Sequence, residues 1–184
     1  MYFSEDSAFL LKNWSQVEKF HDVESNLRKE VSNLLHSLEG VLSDRYWWDH
    51  RLSFYSKSRD QVYISRSDWT KGNNNLIWIG VEDFTVERLF SSSFPPRCFL
   101  YCLNVGDRDK IRSELLKVMR QDNHFRGYLT DKKGYVLIKH INKYTDTQYE
   151  KFAGGEPLNE IADFIEKVYI KIEGYSIKND KQRV

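Results

Sequence analysis

The chain has 184 residues, 40% apolar and 15% aromatic, with 28 Lys and Arg against 27 Asp and Glu for a net charge of +1. The length suits one domain with a substantial core, and the even charge excludes a global basic field for nucleic acid. The sequence has no run of about 18 apolar residues, so no apolar transmembrane helix is expected.

The start, Met1-Tyr2-Phe3-Ser4-Glu5-Asp6, is acidic and lacks the basic-then-apolar order of a signal peptide. The expectation is a cytoplasmic protein with no membrane partner. Phe9, Leu10, Leu11, Trp14, Val17 and Phe20 recur by threes and fours, which predicts a short helix capped by Ser4 or Asp6. Leu27, Val31, Leu34, Leu38 and Val41, widened by Leu35 and Leu42, predict a stronger amphipathic helix ending near Ser43. That stripe is compatible with a helical pair or a dimer seam, and oligomeric state is left open.

A strand is expected within residues 46–56, a polar turn over Ser56–Asp60, and a second strand over Gln61–Arg66, together a hairpin. After the turn-rich Ser67–Asn74 segment, residues 75–84 read as the central strand. Ile77, Ile79 and Val81 face one way and Leu76, Trp78 and Gly80 the other, so both faces are apolar. A short turn at Val86–Phe90 is broken by Pro95-Pro96. A fourth strand follows from Cys98 to Val105, then a helix from Asp107 or Asp109 to Gln121. Gly127–Thr130 and Gly134–Ile141 read as a hairpin, with Gly134 at positive φ. Residues 142–157 read as a loop with one short turn, broken by Gly154-Gly155. Pro157 opens a last helix through Ile172, with Gly174 as its cap.

The fold class is therefore α+β: a single domain over 1–175 with a mainly antiparallel sheet of about five or six strands. N-terminal (1–44), middle (108–121) and C-terminal (157–173) helices pack on the sheet-rich 45–142 part. Residues 176–184 read as a charged tail.

Few motifs in the chain carry chemistry. There is no Walker loop and no Gly-x-Ser-x-Gly elbow. Cys98 and Cys102, about 13 Å apart along a strand, are too far apart for a disulfide and read as small buried hydrophobes. The five histidines are scattered. Glu82 and Asp83 point to opposite faces of a strand, so Glu82 is expected to pair with a basic neighbour and Asp83 to turn outward. Asp49-His50 suggests an oriented imidazole, but no serine or cysteine nucleophile accompanies it. No catalytic residue, metal or cofactor is assigned.

What remains is aromatic content. Trp, Tyr and Arg carry interface energy, so the leading expectation is a non-catalytic protein of accessory, inhibitor or immunity type. It would bind another protein through Trp47, Trp48 and Trp69. The alternative is nucleic-acid binding on a sheet face, with Tyr55, Tyr63 and Trp69 stacking bases while Lys57, Arg59 and Arg66 hold phosphates. An enzyme whose site is assembled from distant residues stands third.

Overall fold

The computed structural model describes residues 4–71, 73–90, 94–103, 108–145 and 148–177. In chain order they form helices α1 (Glu5–Lys12), α2 (Trp14–His36) and α3 (Leu38–Ser43), then strands β1 (Leu52–Ser58) and β2 (Gln61–Arg66). Two-residue strands β3 (Thr70–Lys71) and β4 (Asn74–Asn75) precede β5 (Ile77–Glu82), α4 (Val86–Phe90) and β6 (Arg97–Cys102). Then come α5 (Arg108–Arg120), β7 (Tyr135–His140), α6 (Tyr149–Ala153) and α7 (Glu156–Ile172).

The main sheet has the order β1-β2-β5-β6-β7, and every neighbouring pair is antiparallel. The α+β antiparallel class read from the alternation is the one observed, with five main strands. The hairpin β1–β2 and the placements of β5, β6, α5 and α7 follow the predicted pattern within a few residues.

Period-two alternation divides the sheet into two faces. Val62, Ile64, Ile77, Ile79, Val81, Cys98, Leu100 and Cys102 are buried on one face. Helix α7 lays Leu158, Ile161, Ile165, Val168 and Ile172 against this face, and α3 and α5 pack beside it. The Lys139 Nζ to Glu160 Oε1 pair, 2.9 Å, ties β7 to α7. His36 at the end of α2 reaches Ser56 Oγ at 2.7 Å from the same side. Both cysteines are buried there and form no disulfide, as expected of small hydrophobes.

The departures have local causes. The long helix starts earlier than its strongest stripe, at Trp14, and breaks at Ser37, whose hydroxyl donates back to the Leu34 carbonyl at 2.7 Å. Strand β1 begins only at Leu52, because the Asp49 carboxylate accepts from the Arg51 amide at 2.8 Å and turns the chain first. Gly127–Thr130 is not the first arm of a hairpin. A 3-10 turn over Asn123–Tyr128, begun by Asp122 accepting from the His124 amide, buries Phe125 and leaves only a bridge between Leu129 and Leu137. Gly134 does take positive φ, at 87°. Asp109 lies inside α5 rather than capping it. Helix α7 ends on Glu173 with right-handed geometry, and Gly174 takes no left-handed cap. Asp107 and the charged tail from residue 178 lie outside the described residues.

Candidate functional site

The other face of the sheet carries rings. Tyr55 of β1, Tyr63 of β2, Trp78 of β5, Tyr101 of β6 and Tyr135 of β7 stand in one row across all five strands. Tyr55 stacks on Tyr63 at 5.1 Å between centroids, Tyr63 on Trp78 at 4.7 Å, and Trp78 on Tyr101 at 5.3 Å. Tyr101 then meets Tyr135 edge-on at 5.0 Å. Registry builds the row: Tyr55 pairs with Tyr63, Trp78 with Tyr101, and Tyr101 with Tyr135. The step from Tyr63 to Trp78 is diagonal, because Tyr63 lies opposite Gly80. A Cβ on Gly80 would come 2.6 Å from Tyr63 Cβ and 2.2 Å from the Val62 carbonyl oxygen. The glycine is what lets β2 and its tyrosine approach so closely.

All five rings are half-buried, whereas the aliphatic residues opposite are fully buried. The faces of Tyr55, Tyr63, Trp78 and Tyr101 are turned to one another, and Tyr135 ends the row edge-on. Burial pushes the Tyr63 hydroxyl above its ordinary titration range, with Tyr55 adding to the effect. Lys57 Nζ lies 5.3 Å over the Trp78 ring and Lys132 Nζ 4.8 Å over Tyr135. The Trp78 indole N–H is buried without a partner among the described residues.

A charged cluster closes the Tyr135 end. Arg97 Nη2 lies 2.9 Å from both Glu82 Oε1 and Asp83 Oδ2, and the Tyr135 hydroxyl donates to Glu82 at 2.9 Å. Burial raises the Tyr135 hydroxyl, and Glu82 beside it raises it further. Glu82 thus has the basic neighbour expected of it. Asp83 does not turn outward: its φ of 62° folds the backbone so that its carboxylate returns to Arg97. A left-handed non-glycine residue carries strain of about 1–3 kcal/mol.

The three tryptophans expected to anchor a partner lie elsewhere. Trp69 is 0% exposed. A 3-10 turn over Ser67–Trp69 carries the ring inward, where its indole N–H donates to the Tyr175 carbonyl at 2.8 Å. Arg66, 2% exposed, lies over that ring, pairs with Asp68, and donates to the carbonyls of Glu173 and Tyr175. Trp47 is buried against Tyr169, at 4.9 Å between rings, and Trp48 is half-buried 6.0 Å from Trp47. These residues close the core around the end of α7. Trp69 and Trp47 are corrected from surface anchors to core residues: a hydrogen bond and ring packing hold Trp69 in, and ring packing against Tyr169 holds Trp47 in.

Of the nucleic-acid set, Tyr55, Lys57 and Tyr63 meet on the ladder face. Arg59 sits at the β1–β2 turn, and Arg66 is buried on the other side of the sheet. Asp49 does not orient His50. It binds Arg51 instead, Oδ2 to Nη2 at 2.6 Å, and that hydrogen bond holds its carboxyl at about 2.

Trp78, Tyr101 and Tyr135 were missed as a group. Their signal is an aromatic side chain at one alternate position of each successive strand, visible only when the strands are set in register.

A cleft of about 600 Å³ lies between α2 and the β1–β2 turn, lined by Ser25, Lys29, Ser32, Arg59, Asp60 and Thr85 among others. No histidine borders it. Among the described residues no three of His, Cys, Asp and Glu gather as metal ligands, and no helix is long and apolar enough to cross a membrane. No family model, curated protein or solved structure matches the chain.

Proposed function

We propose that the protein is a non-catalytic binding module that docks another protein on the ladder face of its sheet. The observation that carries this reading is the five-ring row from Tyr55 to Tyr135 on the face opposite the helices. Tyr and Trp supply contact area with few rotatable bonds, and they dominate interface energy. Stacking has already ordered these rings, so binding would freeze little further motion. Lys57, Lys132 and the Glu82–Arg97–Asp83 cluster give the row a rim of both signs, which suits a protein surface.

A protein fits better than a nucleic acid for a geometric reason. Base stacking needs free ring faces. Here the faces of Tyr63 and Trp78 are taken by neighbouring rings on both sides. Arg66, which would have held phosphate, is buried. We read the setting as cytoplasmic, in keeping with two cysteines that form no disulfide.

Affinity capture from native lysate, with and without nuclease, tests the reading when run on the wild-type chain and on a Tyr55→Ser/Tyr101→Ser variant. The expected result is a stoichiometric protein that survives nuclease and is lost from the variant. Recovery that disappears with nuclease would move nucleic acid to first place. A partner retained by the variant would remove the ladder from the interface.

A further inference from the structure

Helix α2 seats only part of its apolar stripe. Val31 and Leu35 are buried against the body at 3% and 0% exposure. The stripe continues toward the N-terminus through Leu27, Phe20 and Val17, crosses Asn13, and reaches Leu10. Along this stretch Phe9, Trp14, Phe20 and Val23 are all more than half exposed, Leu10 is 48% exposed and Leu27 39%. Asn13 does not end the helical course, since its amide bonds to the Phe9 carbonyl and its carbonyl accepts from the Val17 amide. Helices α1 and α2 thus form one kinked rod from Glu5 to His36, roughly 48 Å long at ~1.5 Å per residue. Among the described residues, the rod meets the body near Ser25 and Arg28, where Arg28 pairs with Glu87 of α4. The preceding twenty or so residues, about 30 Å, stand off it as an arm.

Such an arm needs a covering. A helix of this length is marginal alone in water, and Ser15, Val17, Phe20, His21, Asp22, Val23 and Asn26 are weak helix formers. The exposed apolar surface of its large side chains amounts to several hundred Å², which is large for a bare patch and of the order of the ~800 Å² per partner of a standard interface. Anionic lipid is a poor match, because the arm mixes Lys12 and Lys19 with Asp6, Glu18, Asp22 and Glu24 and has no basic face.

The arm matches itself. Leu10, Asn13, Val17, Phe20, Glu24 and Leu27 alternate by three and four, the seam spacing of a paired helix. Two arms can be laid antiparallel so that residues 18 and 19 lie level with each other across the two-fold axis. Val17 then faces Phe20, Leu10 faces Leu27, and Asn13 meets Glu24. Apolar meets apolar, polar meets polar, and each contact occurs twice by symmetry. A parallel, in-register pairing would instead set Glu24 against Glu24 and Asn13 against Asn13.

We propose that α1 and the first half of α2 form the seam of a homodimer, two copies pairing their arms antiparallel about a two-fold axis between Glu18 and Lys19. This seam uses a different surface from the aromatic ladder, so the two readings stand or fall separately.

Sedimentation equilibrium on the intact chain at tens of micromolar is the first test, and the expected mass is twice 22.0 kDa. Phe20→Asp, at an exposed position, is expected to sediment as a single chain while keeping the near-UV dichroism of the buried tryptophans. Oxidation of a Leu10→Cys/Leu27→Cys double variant is expected to give a covalent dimer, and each single variant none. The native cysteines are buried and should add no background. A wild-type chain that sediments at 22.0 kDa overturns the proposal, as does a dimer that survives Phe20→Asp. A covalent dimer from Leu10→Cys alone, or none from the double variant, overturns the antiparallel register.

Discussion

The two faces of the sheet use the same strands and differ in how they are closed. On one face, Ile64, Ile77, Ile79, Val81 and Leu100 are sealed by helices and excluded from water. On the other, Tyr55, Tyr63, Trp78, Tyr101 and Tyr135 are ordered by stacking on one another and remain half-buried. Aliphatic side chains gain little unless something covers them. Aromatic rings gain about 0.5–1.5 kcal/mol per contact from their own geometry, so a row of them holds its shape with one edge still in reach of solvent. An ordered surface and a covered surface are therefore separable, and a five-stranded sheet can carry both.

The sharpest way to break the contrast is to truncate an aromatic residue on each side. Trp69→Ala removes a buried ring together with its bond to the Tyr175 carbonyl, and is expected to cost about 3–5 kcal/mol. The thermal midpoint should fall by roughly 10 °C. A midpoint within a degree or two of wild type would show that Trp69 is not a core residue.

Gly80→Ala tests the joint between the faces. The added methyl collides with β2 backbone as well as with Tyr63, so a loss of about 1–3 kcal/mol is expected. Trp78 emission should change as Tyr63 is pushed off its ring. Unchanged emission would mean that the stack does not depend on the close approach at Gly80.

Tyr55→Ser removes only the terminal ring of the row. The expected stability loss is about 0.5–1 kcal/mol, read as a small shift in urea midpoint at constant slope. A loss as large as that for Trp69→Ala would mean that the ladder is core after all.

The smallest effect is one of pH. The hydrogen bond from Arg66 lowers the Asp68 carboxyl below its ordinary range. Because the folded carboxyl titrates below its unfolded value, the Arg66–Asp68 pair contributes fully above about pH 4. That contribution is lost as the pH falls through the lower folded value. Asp68→Asn should therefore flatten the acid limb of the stability profile, and a limb unchanged by the substitution would remove the pair from acid sensitivity.

Much of the sheet was legible because alternation of side chains is a local property. Val62 and Ile64, then Ile77, Ile79 and Val81, announce a buried face without any knowledge of their neighbours. The ladder was not legible, because it exists only between strands. Tyr55 and Tyr101 are far apart in sequence and become part of one row only through the β1-β2-β5-β6 order. Trp69 and Trp78 show the same limit from the other side. Trp69 sits among polar residues and Trp78 in an apolar run, yet a 3-10 turn sends the first inward while a strand leaves the second on the ring-bearing face. Asp83 was misread because period-two reasoning assumes extended backbone, and its left-handed φ suspends that rule. The arm was half legible: the spacings from Phe9 to Phe20 and from Leu27 onward each marked a helix, but only the seated and unseated halves of α2 reveal where the body ends.

The anchorage of Arg66 and Trp69 on the carbonyls at the end of α7 has a consequence for how the chain is made. Trp69 and its acceptor are separated by 106 residues. At ~5–20 residues per second, a ribosome releases Trp69 roughly 5–20 s before Tyr175 exists. Throughout that interval, the Arg66 guanidinium has Asp68 but lacks the Glu173 and Tyr175 carbonyls, and the Trp69 indole lacks its acceptor. The β1–β2 hairpin can form early, but the core around Arg66 and Trp69 can close only when the end of α7 arrives. A nascent chain of this protein should therefore stay open to proteases and chaperones until nearly all of the helix has emerged.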